Sequence, residues 1–296
     1  MKNLLLLVPV LIVSSCTNVT STPNSHSKDS IAVSKKDTSS ATSASAPAAI
    51  ADAATIMSRT QVPILCYHHI KEAPAVSKSS MGYEVTASQF KAQMKTLADS
   101  GYHTVLPEQL YDYLTKGAPL PEKPVMITYD DTDEEQFSIA KPEMDKYGFK
   151  GVYFIMTISI GRPRYMTTEQ IKQLSDEGHV IANHTWDHHR TDRYKTQNEI
   201  EERGVKKIVN DWDQQLGKTK TKLEEITGKK VEYFAYPFGV WSPDGIPEIK
   251  SRGFKLAFQL STKRDSSEPL YTVRRIIVAP SWSAEGLIRV MKSSFK

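Results

Sequence analysis

Two adjacent aspartates and a small set of histidines decide what chemistry this chain can do. Asp130 and Asp131 follow the apolar run 125–129. Neighbouring carboxylates at the end of an apolar strand repel each other and lose solvation unless a cation compensates, although an aspartate pair can also cap a helix. The run 180–183 leads into His184-Thr185-Trp186-Asp187-His188-His189. His184 and His188 share a face of a helical turn, close enough to share a cation, and His189 takes the place of His188 if that turn is not helical. Two neutral imidazoles and one carboxylate leave positions for water, the open arrangement of a catalytic divalent metal. Structural zinc takes four protein ligands, often cysteine. Two more apolar runs end in polar groups. Residues 62–67 precede His68-His69, and 231–235 precede Tyr236-Pro237-Phe238-Gly239, where Pro and Gly restrict the turn and can present the Phe238 backbone amide to a ligand.

Elements must bring these four chain ends together. Short β-rich runs are predicted as strands at 62–67, 102–106, 125–129, 152–156, 180–183, 231–236, 254–259 and 271–278. Helices alternate with them. Thr86 and Thr167 open two with capping-box patterns, and Gly101 and Gly178 close them. The polar stretch 197–227 is predicted as one or two helices, with Ile200, Val205, Ile208, Trp212, Leu216 and Leu223 as its apolar positions. Repeated strand–helix units predict an α/β fold, an irregular (β/α) barrel of seven or eight mostly parallel strands. No glycine-rich turn follows the first strand, against a dinucleotide fold. In such barrels chemistry sits where strands end and lead into helices.

The chain has 296 residues, 39% hydrophobic and 24% charged, enough apolar residues for a sizeable core. A formal net charge of +4 without clustering excludes a nucleic-acid footprint. Lys2, the ten-residue apolar run 4–13 and Ser14-Ser15 predict a signal peptide over 1–15, too short for a membrane-spanning helix, which needs about 20 residues. Val13-Ser14-Ser15-Cys16 resembles a bacterial lipobox, so Cys16 is the expected lipid attachment site. Residues 16–56, rich in Ser, Thr and Ala, are expected to be a disordered tether, and 57–296 a single catalytic domain. The expected protein is thus an exported, lipid-anchored monomer of the bacterial cell envelope. Cys66, the other cysteine, would lack a disulfide partner and is expected to be a small buried hydrophobe.

Thr128-Tyr129-Asp130-Asp131, His184-Thr185-x-x-His188 and Tyr236-Pro237-Phe238-Gly239, in this order, resemble the polysaccharide deacetylases with the nodulation-type homology domain (carbohydrate esterase family 4). Tyr67-His68 further resembles the permuted branch that deacetylates poly-β-1,6-N-acetylglucosamine in biofilm systems. The resemblance implies a divalent metal on Asp131, His184 and His188, with zinc the best fit and nickel, cobalt or iron chemically admissible. It implies Asp130 as general base, the Phe238 amide as oxyanion donor and His68 as general acid. A count of histidines supports an early acid. None follows His189, His26 lies in the tether, and His103 and His179 fall near strand beginnings. Only His68 and His69 remain, and alternation along a strand turns one of them inward. His68 is favoured because it follows Tyr67, as in the family.

Two positions depart from the family pattern. Thr132 stands where glycine is usual, and Ala235 stands where an arginine usually pairs with the base. Arg275 on the last strand is the expected substitute, and its replacement by Met is expected to cost turnover more than fold. Tyr129, Trp186, Tyr236 and Trp241 are candidates to stack on sugar rings. The implied activity is removal of N-acetyl groups from N-acetylhexosamine residues of a glycan. The rivals are an O-acetyl esterase on xylan or another polysaccharide and an inactive glycan-binding lipoprotein.

Overall fold

A computed structural model describes residues 50–72, 82–202 and 204–295. The signal peptide, Cys16 and most of the tether lie outside the described residues. Helix α1 (Ala53–Ser58) is capped by Asp52, whose carboxylate accepts from Thr55 N at 2.7 Å. The predicted tether boundary at 56 therefore falls inside an ordered helix, and the folded unit starts earlier than expected.

Strand β1 (Ile64–Tyr67) is followed by a small parallel pair, β2 (His69–Lys71) with β3 (Glu84–Thr86). Then come α2 (Ala87–Asp99), β4 (His103–Thr104), α3 (Pro107–Lys116), β5 (Pro124–Tyr129), α4 (Lys141–Asp145) and β6 (Gly151–Ile155). The walk continues through α5 (Thr168–Asp176), β7 (Val180–Asn183), β8 (Asn198–Glu202), β9 (Val205–Val209), α6 (Lys218–Thr227) and β10 (Tyr233–Ala235). It ends with α7 (Gly245–Ser251), β11 (Leu256–Leu260), β12 (Val273–Ile277) and α8 (Ala284–Ser294). Strands β1, β12, β11, β10, β7, β6 and β5 form a parallel ring, closed by the pairing of β5 with β1, and β4 flanks β5. The predicted closed α/β barrel is what forms, with seven strands in the ring.

Alternation along the strands builds two apolar layers. Ile64, Met126, Val152, Phe154, Ala182, Ala235 and Phe258 fill the barrel, while Leu65, Tyr67, Ile127, Tyr129, Tyr153, Phe234 and Tyr236 pack outward beneath the helices. The phase at each strand's end is thereby fixed. Ile64, Cys66 and His68 are in phase, as are Met126, Thr128 and Asp130, and Val273 and Arg275.

One prediction fails here. Residues 198–209 are not helical but an antiparallel hairpin, with Asn198 opposite Val209, Ile200 opposite Lys207 and Glu201 opposite Lys206. The β-branched side chains of Ile200, Val205, Ile208 and Val209 favour extended backbone, and Gly204 supplies a positive φ of 79° at the turn. The apolar positions do not keep the 3.6 period of a helix, and Val205 and Ile208 fall on opposite faces of β9. Helix appears only beyond it, as a π-helical turn at Asp213–Gly217 running into α6.

Candidate metal and catalytic site

Register places the site. Cys66 lies opposite Thr128 and Tyr67 opposite Tyr129, and Asp130 N donates to Tyr67 O at 3.0 Å, so His68 and Asp130 leave the barrel side by side. Gln136, fully buried, donates to the carbonyls of both His68 and Asp130 and ties the two strand ends together. β6 pairs with β7, and His184 N donates to Ile155 O at 3.0 Å, which sets His184 beside them.

Asp131, His184 and His188 each offer one donor atom, all within 4.8 Å of one another. His184 Nε2 and His188 Nε2 each lie 3.5 Å from Asp131 Oδ1. Asp131 Oδ1 and His184 Nε2 are buried and have no hydrogen-bond partner. Such atoms are costly unless something else engages them, so the donor set fits a divalent cation. His184 Nδ1–H donates to Ala235 O at 2.8 Å, which orients the ring and turns Nε2 toward Asp131. The connection through 184–189 is not the helical turn expected. Thr185 and His188 take positive φ of 69° and 65°, and His188 N donates to Thr185 Oγ1 at 3.0 Å. Even so it is His188 that reaches the cluster, while His189 turns outward and pairs with Asp187 at 2.7 Å.

The neighbouring carboxylate is already engaged. Arg275 donates to both oxygens of Asp130, through Nη1 to Oδ1 at 2.6 Å and Nη2 to Oδ2 at 2.8 Å, and both groups are buried. Its guanidinium also lies over the Phe154 ring, 4.9 Å from the centroid. Burial would raise the Asp130 carboxyl, but Arg275, and after it His184, outweigh burial and hold it far below the usual carboxylate range. Burial likewise opposes ionisation of Asp131, which His184 pulls down to about 2. Burial lowers His188 to about 4, with His184 adding to the effect, and leaves it neutral, as a ligand must be. Against burial, Asp130 and Asp131 raise His184, so a cation must displace its proton.

Of the adjacent histidines, His68 faces the base, with Nε2 3.9 Å from Asp130 Oδ2, whereas His69 turns to buried Asp133. Burial lowers the His68 imidazole despite the pull of Asp130. Cys66 does more than fill space. Its thiol donates to Asp130 Oδ2 at 3.5 Å and lies 3.7 Å from His68 Nδ1. The spacing of Cys66 and His68, two apart at the end of β1, is the signal that could have revealed it.

The aromatic candidates divide. Tyr129 is fully buried between Tyr67 and Tyr153 and donates to Met144 Sδ, and Tyr236 is buried with its hydroxyl on Tyr271 O. Both face the helices, so the expectation that they touch sugar is corrected. Trp241 is half-buried and packs against the same outer layer. Trp186 stands at the rim, 36% exposed.

Both departures from the family pattern are accommodated. Thr132 keeps a positive φ of 71°, a strained conformation for threonine, and its hydroxyl accepts from Met156 N at 2.8 Å. Phe238 also has a positive φ, 59°, and its ring, 61% exposed, lies 4.5 Å from that of His188. The next residue, Gly239, has φ +67°, and a Cβ there would meet Leu260 Cβ at 2.3 Å and Leu260 N at 2.5 Å. Gly239→Ala is therefore expected to destabilise by about 3 kcal/mol, combining left-handed strain with overpacking. It should also displace the Phe238 turn, so urea unfolding and acetate release should both fall, and parent-like stability would contradict this packing.

A parallel barrel with an open carboxylate–imidazole group at its strand ends defines a hydrolase-type metal site. Residues 117–257 match the family model for polysaccharide deacetylase. It is 28% identical over 235 residues to the poly-beta-1,6-N-acetyl-D-glucosamine N-deacetylase of Staphylococcus aureus strain MRSA252, covering 73% of this chain and 78% of that one. IcaB from Ammonifex degensii superimposes with a TM-score of 0.62 at 26% identity, covering 79% of this chain and 98% of that one. Streptococcus pyogenes deacetylase PplD shares the fold, with a TM-score of 0.68 at 22% identity over 78% of this chain and 98% of that one. The family match stops short of His68 on one side and Arg275 on the other.

Proposed function

We propose that this protein removes acetyl groups from the nitrogen of N-acetylhexosamine residues in a polysaccharide, with poly-β-1,6-N-acetylglucosamine the first substrate to test. The observation that carries the reading is the division of labour between adjacent carboxylates. Asp130 has both oxygens held by Arg275, and Asp131 presents an unpartnered oxygen to two imidazoles.

Asp131, His184 and His188 would hold the divalent ion, zinc on this reading. When bound, the ion polarises the acyl oxygen and makes water more acidic. Asp130, kept ionised by Arg275, takes the proton of the attacking water on a carboxylate oxygen. The Phe238 N–H donates to the acyl oxygen as charge develops there, an interaction worth about 3 kcal/mol. His68 passes a proton from Nε2 to the departing amine, which leaves poorly as an anion. Cys66 holds Asp130 and His68 in register from below. The reading extends to export and to membrane attachment through lipid on Cys16, supported by the sequence of residues 1–16.

The test is acetate release from chemically defined N-acetylated and O-acetylated oligosaccharides. Release from the N-acetylated oligomer, matched mole for mole by free amine, abolished by chelation and restored by zinc, is the expected outcome. Acetate from the ester substrate alone, or release that survives chelation, would overturn it.

A further inference from the structure

Gln136 is fully buried in the π-helical turn Gln136–Ala140 that leads into α4, and its one amide nitrogen spans two strand ends. Nε2 donates to His68 O at 2.9 Å and to Asp130 O at 2.5 Å. Both acceptors are carbonyls, so the amide can meet them only with its NH2 group, one hydrogen for each. We infer that Gln136 is the positioning residue of the general acid: it sets where His68 stands toward the departing amine, and it contributes little to the attack of water. The inference rests on the N-deacetylase reading and goes beyond it, to a side chain that touches no substrate.

His68 stands at a fork in the backbone. The β1–β5 ladder pairs Tyr67 with Tyr129, and its last bond runs from Asp130 N to Tyr67 O at 3.0 Å. The next rung of a parallel ladder would run from His69 N to Asp130 O. His69 N donates instead to Tyr83 O at 3.3 Å, because the chain turns away there into the β2–β3 pair. Gln136 fills the missing rung, and it takes the His68 carbonyl as well. The acid depends on this anchor more than the base does. Arg275 grips both oxygens of Asp130, at 2.6 and 2.8 Å. The His68 ring has only the Cys66 thiol 3.7 Å from Nδ1 and Asp130 Oδ2 3.9 Å from Nε2. A thiol is a weak partner and the second distance exceeds a hydrogen bond, so the imidazole stands chiefly where its own backbone puts it.

Stability alone does not account for a glutamine at this place. Its Oε1 is buried and has no partner among the described residues, and an unsatisfied buried acceptor works against the fold. The segment that delivers the side chain is also unfavourable in itself. Asp131 and Thr132 take positive φ of 74° and 71°, strained for residues other than glycine, and the π-helical turn is a rare element found most often at functional sites. Together they bring the chain back over the strand end that it has just left.

The test uses the full-length, zinc-loaded protein and two substrates that differ in what their leaving group needs. A β-linked N-acetylglucosamine pentamer must release an amine, which requires a proton, whereas nitrophenyl acetate releases a phenolate that leaves without one. Gln136→Met keeps the length of the side chain and removes both donors. It should lower kcat/KM for the pentamer about 30-fold or more, since a misplaced catalytic group costs on this order, and that for the aryl ester by no more than about threefold. Gln136→Leu, a second side chain without donors, should show the same split. A partly unfolded sample lowers both rates alike, so the ratio of the two reads the acid and not the stability. Parent-like turnover of the pentamer, equal losses on both substrates, or failure of both variants to fold would overturn the inference while leaving N-deacetylation standing. A parent that releases no acetate from the pentamer would instead bring down the N-deacetylase reading itself, and this inference with it.

Discussion

Asp131→Asn is expected to remove bound divalent metal and to lower acetate release on the order of 10³-fold while the barrel stays folded. The side chain keeps its size but loses the charge that opposes the cation. A catalytic metal contributes several kcal/mol of transition-state stabilisation, and each 1.36 kcal/mol is tenfold in rate. The choice of Asp131 over Asp130 follows from which oxygens are free. Arg275 occupies both oxygens of Asp130, while Asp131 Oδ1 is buried without a partner, 3.5 Å from two imidazole nitrogens. Asp131 is depressed to about 2, below its unfolded value near 3.9, so it stabilises the metal-free protein above about pH 4 and this is lost as pH falls toward 2. Near pH 7 the metal-free variant should therefore be somewhat less stable than the metal-free parent, by no more than about 2.6 kcal/mol. A linked readout separates metal loss from misfolding. Zinc at about 100 times its dissociation constant should stabilise the parent by about 2.7 kcal/mol, seen as a rise in Tm, and should leave the variant unmoved. An equal zinc-induced shift in both proteins, or retained turnover in a metal-free variant, would remove Asp131 from the site.

Much of this site was legible because it lies at strand ends, where an apolar run stops and polar residues begin. Asp130, Asp131, His184 and the Pro237–Gly239 turn need only that rule and the C-terminal end of the barrel to be grouped. The strand phase is legible as well, and it bears on Tyr129 as it does on His68 and His69. Once Asp130 points inward, Tyr129 must point outward, and it packs under the helices where no sugar can reach it. The same phase joins Cys66 to His68. What could not be read was any feature set by local backbone choice. His188 reaches the cluster through two left-handed residues, which no helical spacing rule describes. The hairpin was not legible because Ile200, Val205 and Ile208 keep no period of 2, and only pairing across the strands reveals it. The pairing partner of Asp130 was legible: Arg275, expected from the sequence to stand in for the arginine absent at Ala235, is the residue on both its oxygens. The pair forms because β12 and β5 both lie beside β1 in the ring, which brings Arg275 within reach of Asp130 and Thr128.

Arg275→Met is the second substitution with a large expected effect, and the structure changes what it should do. The expectation that turnover would suffer far more than fold is corrected by burial. Arg275 is 1% exposed and bidentate on a carboxylate that is also 1% exposed. Breaking a buried pair from one side leaves an uncompensated charge and costs about 3–5 kcal/mol. The direction with pH follows from Asp130. In the parent its folded pKa lies below its unfolded value, so the pair stabilises the protein above about pH 4, and this is lost only as pH falls toward the folded value. In the variant, burial acts without Arg275 and carries the carboxyl upward. The stability gap to the parent should then be widest at neutral pH and narrow toward pH 4. The acidic limb of the rate profile should move to higher pH, because the base is protonated where the parent base is not, and turnover near pH 6 should fall at least 100-fold. Asp130→Asn combined with Arg275→Met removes both charges, so it should recover much of the lost stability and none of the activity, a coupling that neither single substitution can mimic. A variant with parent-like stability and an unshifted pH–rate profile would show that Arg275 does not hold the base, and the charge that keeps Asp130 ionised would have to come from His184 and the metal alone.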